Sequence, residues 1–173
     1  MQWQGKIVRR IGRIHKTNLL FFDPKWFSDE GAEEKNQRLL KFFDDNVQTN
    51  ATLIAASAGG AISMPLFSSR TGKIDSLKLI SPKLLNPNNI SDKYLAKSRS
   101  LTDISKNSEQ IAANLSATQL KKLAIYKPLV DLVVPPEDML LPKAKITTTP
   151  LLGHGASIAV TMIYLLNKSA ILP

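Results

Sequence analysis

The chain contains no cysteine. Disulfides, thiolate metal sites and a cysteine nucleophile are therefore excluded, and the absence fits a reducing cytoplasm, where we expect the protein to reside. Long apolar runs are also missing. The longest near the end, Ala156 to Leu166, is interrupted by Ser157 and Thr161 and is too short to span a bilayer. The opening residues, Met1-Gln2-Trp3-Gln4-Gly5-Lys6, lack the apolar centre of a secretory leader. Histidine is scarce, with only His15 and His154. No cluster of metal-ligating residues is visible, and Gly59-Gly60 alone is too little to cradle a phosphate. No metal and no cofactor are expected.

Acidic residues are absent from the first sixteen positions, where Lys6, Arg9, Arg10, Arg13 and Lys16 gather. The net charge of +9 invites a nucleic-acid reading. However, the remaining charge is scattered, and no aromatic interleaving accompanies the arginines. Ile7, Val8, Ile11 and Ile14 make an apolar stripe beside them. The arginines thus read as the solvated face of an amphipathic helix, with phosphate contact as the lesser alternative. His15 shares that solvated face. Nucleic acid is not an expected partner.

What is present is a globular balance. With 43% hydrophobic and 21% charged residues in 173, the chain can bury a core and is read as one domain, 1–173. Helical and strand-like segments alternate. Trp3–Lys16 reads as a helix, Asn18–Phe22 as a buried strand ended by Asp23-Pro24, and Ser28-Asp29-Glu30 as the start of a helix through Phe43. Strands follow at Ala51–Ala56, Ser76–Ser81, Leu123–Tyr126 and Lys145–Thr149. Helices are expected from about Gly60 to Ser68, from Glu137 to Leu141 and from Ala156 onward. The polar stretch 85–122 reads as an insertion with two short helices, Asp92–Ser98 and Ser116–Leu123. It is either a surface excursion or a cap over a pocket. The alternation predicts an α/β fold, a mostly parallel sheet sandwiched by helices.

Three polar residues stand just past predicted strands. Ser57 follows Leu53-Ile54-Ala55-Ala56 and precedes Ala58-Gly59-Gly60. A nucleophilic serine needs such a crowded strand-to-helix turn, which lifts the hydroxyl out of the sheet and turns backbone N–H groups toward a developing oxyanion. Asp131 precedes Leu132-Val133-Val134-Pro135-Pro136, and His154 lies between Gly153 and Gly155. Serine hydrolysis needs a hydroxyl, an imidazole to take its proton and a carboxylate to orient the imidazole. Each residue also has a plainer reading. Ser57 fits a tight turn, Asp131 a self-stabilised loop and His154 a helix cap. Glu137 and Asp138 are further carboxylates, read as helix-start acids.

With these motifs, the chain resembles the α/β-hydrolases from about residue 3 to residue 168. The carrying segments are Ala55-Ala56-Ser57-Ala58-Gly59 as nucleophile elbow, Asp131-Leu132-Val133-Val134-Pro135-Pro136 as acid loop and Gly153-His154-Gly155 as histidine loop. The resemblance implies Ser57 as nucleophile, His154 as base, Asp131 as its orienter and the Ala58 N–H as one oxyanion donor. It departs from the family at the start, where the early strands and the turn that donates a second oxyanion N–H have no counterpart. The fold expected is therefore α/β-hydrolase-like and N-terminally truncated, with an open sheet edge. The chain is a fragment with a late start, is completed by a second copy or a partner chain, or is a degenerate hydrolase. The expected activity is serine-dependent hydrolysis of a small ester or similar acyl substrate. The alternative is a catalytically impaired binding protein on the same fold.

Overall fold

The computed structural model describes residues 3–15, 18–96, 98 and 100–171. Lys16 lies outside that set, as does the side chain of His15. Four strands, β1 (Ala51–Ala56), β2 (Ile74–Ile80), β3 (Leu123–Val130) and β4 (Lys145–Leu152), form a sheet in the order β1-β2-β3-β4. All three pairings are parallel. Helices make the crossovers: α3 (Ala58–Ser69) leads from β1 to β2, α4 (Asp92–Leu95), α5 (Leu101–Ala113) and α6 (Ala117–Lys121) lead to β3, and α7 (Pro136–Met139) leads to β4. The helices α1 (Trp3–His15) and α2 (Ala32–Asn46) precede the sheet, and α8 (His154–Ile171) follows it. No described helix is long and apolar enough to cross a membrane.

Strand alternation sorts the side chains between two helical layers. Leu53 and Ala55 pack into the main core with Leu77, Leu79 and Ile125 of the neighbouring strands, beneath Phe43 of α2, Met64 and Phe67 of α3 and Ile104 of α5. Ile54, between them, faces the other way, toward Val8 and Ile11 of α1 and Leu166 of α8. Lys78 likewise falls between Leu77 and Leu79. Burial lowers its pKa, and nearby Lys168 of α8 adds to the shift. Val8 and Ile11 of α1 are spent on this contact, while Ile14, Lys6, Arg9, Arg10 and Arg13 are exposed.

Leu19–Phe22 is not a strand, which corrects the expectation of five strands to four. A strand is defined by a hydrogen-bonded neighbour, and none among the described residues pairs with this segment. Its side chains bind it to the body instead. Leu19 and Phe21 pack on the α1–α8 cluster, and Phe22 packs on the main core. The Phe22 ring meets Phe42 at 5.4 Å and lies 5.0 Å beneath the Arg38 guanidinium. Helix α2 also begins later than expected, because Glu30 is drawn into an ion pair with Arg38 at 2.7 Å. Glu34 Oε2 then accepts the Gly31 N–H at 2.8 Å, closing the first turn.

The polar stretch 85–122 holds a helix the composition hides. Helix α5 buries Ile104, Ser105 and Ser108, and packs Ile111 and Ala112 against the core. Serines on its inner face erased the apolar period that would have revealed it. Helix α3 passes through Pro65 without ending. Strands β3 and β4 run through Pro128 and Pro150, carrying each strand closer to its site residue than expected.

Candidate active site

Each candidate residue stands where a parallel strand ends, the side on which α/β sheets gather their ligands. Ser57 immediately follows β1, Asp131 immediately follows β3, and His154 follows β4 after Gly153. The sheet register, Ala56 beside Ile80 and Ile80 beside Tyr126, aligns these ends along one edge.

Ser57 caps α3 with φ 52° and ψ −129°. A left-handed backbone at a side chain other than glycine is strained, typically by about 1–3 kcal/mol, so it persists only where its neighbours enforce it. They do. The Ser57 N–H donates to Ile80 O at 3.0 Å, and Ser57 O accepts from Gly60 N at 2.9 Å and Lys83 N at 3.2 Å. Gly60 permits the approach, because a Cβ there would lie 2.7 Å from Pro82 Cβ. Ala58 is the first residue of α3, where the backbone N–H has no acceptor within the helix. No described strand precedes β1, so the turn expected to give a second donor has no counterpart among the described residues.

The side chains form a continuous chain. Ser57 Oγ lies 3.0 Å from His154 Nε2, and His154 Nδ1 lies 2.8 Å from Asp131 Oδ2. The second oxygen, Asp131 Oδ1, accepts the N–H groups of Val133 at 2.9 Å and Val134 at 3.0 Å. Burial of Asp131 raises its pKa. The Val134 N–H, the His154 ring and the Val133 N–H together outweigh that effect and hold the carboxyl below its ordinary value. A carboxylate so held orients the imidazole with Nδ1–H toward Asp131, which leaves Nε2 free to accept from the serine. The Asp131 side chain is 1% exposed and that of His154 13%, so the acid end of the chain is shielded from solvent. Gly153, at φ +87°, makes the turn that delivers His154, and its N–H donates to Val130 O at 2.9 Å.

Asp138 does lie in the first turn of α7, with Glu137, but it does more than favour a helix start. It is fully buried, and its Oδ2 accepts Lys83 Nζ at 2.6 Å. No local pattern pairs residues so far apart in the chain. Glu137 is exposed. Neither carboxylate contacts His154, which is bonded to Asp131. Among the described residues no group of three metal-ligating side chains occurs. A groove of about 450 Å³ opens at the opposite, N-terminal ends of β2, β3 and β4, lined by Lys78, Lys122, Tyr126 and Lys145 among others.

The fold is that of the α/β-hydrolases. The chain is similar to the monoacylglycerol lipase of Paleococcus ferrophilus, with TM-score 0.59 and 13% identity over 95% of this chain and 88% of that one. It is similar to a structure from the metagenome-derived lipolytic enzymes LipS and LipT, with TM-score 0.60 and 12% identity over 96% and 88% of the two chains. A bromoperoxidase from Bacillus anthracis aligns with TM-score 0.58 and 13% identity over 98% of this chain and 87% of that one. No family model and no curated protein sequence matches the chain.

Proposed function

We propose that the chain is a serine hydrolase acting on a small ester or similar acyl substrate. The observation that carries this reading is the unbroken hydrogen-bonded chain from Ser57 Oγ through His154 to Asp131, built on a strained turn. Two of the similar structures are of lipolytic enzymes, which agrees with an acyl substrate.

In this reading Ser57 Oγ attacks the acyl carbonyl while its proton passes to His154 Nε2. The Ala58 N–H stabilises the oxyanion, and Asp131 stabilises the imidazolium. The protonated ring returns its proton to the leaving alcohol as the carbon–oxygen bond breaks. Water then attacks the acyl-Ser57 ester, losing its proton to Nε2, and the ring returns that proton to Ser57 Oγ as the acyl carbon–Oγ bond breaks and the acid leaves. The mechanism uses no metal and no cofactor. Hydrolysis of a short-chain p-nitrophenyl ester tests it. Turnover that is lost in Ser57→Ala supports the reading, and turnover equal in both proteins overturns it.

A second reading rests on a different observation. Strand β1, which carries Ser57, pairs only with β2 among the described strands, so its other edge is open. We propose that a second copy or a partner chain covers this edge. Without such completion the same fold serves as a catalytically impaired binding protein for a small ligand or a protein. Strong ester turnover by the isolated monomer excludes that version. We read the chain as one domain, and place it in the cytoplasm on its cysteine-free composition.

A further inference from the structure

The nucleophile turn and the acid loop belong to different crossovers, and their relative position decides whether Ser57 meets His154. Two backbone bonds tie the turn after β2 to Ser57, with Ile80 O accepting the Ser57 N–H and Lys83 N–H donating to Ser57 O. Between them, Pro82 fills the space that Gly60 leaves. On the other side, Asp131 is followed by a tight run into α7. Val134 N donates to Asp131 Oδ1, and Asp138 N donates to Pro135 O at 3.0 Å.

One buried cluster joins the two. Lys83 Nζ donates to Asp138 Oδ2 at 2.6 Å, to Leu85 O at 2.9 Å and to Asn86 O at 2.9 Å. All three ammonium protons thus have acceptors. Asp138 takes further bonds from Asn86 Nδ2 at 2.6 Å and Asn89 Nδ2 at 3.1 Å. Its carbonyl accepts the N–H groups of Leu84 at 2.9 Å and Leu85 at 3.0 Å. The two side chains are 9% and 0% exposed. A pair so enclosed is poor evidence for added stability, because desolvation offsets the attraction. What it supplies is geometry, since a buried charge pair satisfied on every side tolerates only one arrangement.

We propose that Lys83 and Asp138 are positioning residues: their buried pair locks the turn that seats Ser57 to the helix that follows Asp131, and so sets the serine in register with the Asp131–His154 pair. This deepens the hydrolase reading and rests on it for its catalytic consequence. Neither residue touches the reacting atoms. Misplacing a nucleophile by an ångström costs on the order of 100-fold in rate.

The test compares wild type with the double variant Lys83→Met/Asp138→Leu, which removes both charges and keeps apolar volume. Asp138→Glu is the second variant; it keeps the pair's charge and displaces the carboxylate, should the double variant fail to fold. Two readouts are taken well below the melting temperature. One is the rate of fluorophosphonate labelling at Ser57, and the other is amide hydrogen exchange at Ser57, Lys83, Val133 and Val134. The expected result is a fold retained by circular dichroism, labelling slowed roughly 10- to 100-fold, and loss of protection at those amides alone. Unchanged labelling and unchanged protection in a folded variant overturn the proposal, as does a loss of protection spread evenly over the chain. If wild type is not labelled at all, the hydrolase reading fails, and the amide protection still decides whether the pair holds the two loops together.

Discussion

His154 Nε2 stands 3.0 Å from Ser57 Oγ, although 97 residues separate them in the chain. Three strands of the sheet lie between the turns that carry them in chain order, and a parallel sheet brings every strand end to the same side. The contact follows from the topology as much as from the two residues.

Replacing Asp131 by Asn keeps the side-chain shape and removes the acceptor that His154 Nδ1–H needs. The imidazole then favours the wrong tautomer. In a triad of this kind the change costs about 10,000-fold in turnover. Steady-state ester hydrolysis should show that loss in kcat with little change in KM.

Asp131 also makes stability depend on pH. Its folded pKa lies below the ordinary 3.8. A depressed carboxylate contributes stability that is present above the unfolded value and is lost as pH falls through the folded one. Wild type should therefore lose its advantage over Asp131→Asn progressively below about pH 4. Paired urea melts at pH 7 and pH 3 measure the gap. A gap equal at both values contradicts the assigned bonding of the carboxylate.

The strain at Ser57 predicts a trade between stability and function. Ser57→Gly suits φ 52° and ψ −129°. It should abolish acyl transfer while raising stability by about 1 kcal/mol, the relief of strain less the entropy of a new glycine. Thermal unfolding with and without the substitution checks both the sign and the size.

Gly60→Ala should lower stability instead of raising it. The added Cβ would lie 2.7 Å from Pro82 Cβ and 3.4 Å from Pro82 Cα, and a proline ring cannot swing aside as a flexible side chain can. Overpacking of this kind costs about 1–3 kcal/mol. Because Pro82 lies between Ile80 and Lys83, which hold Ser57, probe labelling should slow as well. A stability loss with no change in labelling separates the packing from the elbow.

The strands β1 and β2, and the strand end that precedes Ser57, were legible because their signals are local. An apolar run that ends in small residues marks a strand end whatever else the chain does. Leu19–Phe22 misled for the same reason. Its apolar run records burial, but pairing depends on a neighbour that no local pattern reveals. Helix α5 was hidden by Ser105 and Ser108, buried polar residues that break the expected period. The Lys83–Asp138 pair lay beyond sequence reading altogether, since its partners are 55 residues apart and each fits a surface role on its own.

The most direct measurement is fluorophosphonate labelling of the purified protein, with the modified residue located by peptide mass spectrometry. The account predicts one adduct, on Ser57, that disappears in Ser57→Ala and slows sharply when His154 is changed to Ala. Labelling that persists unchanged in Ser57→Ala contradicts the account.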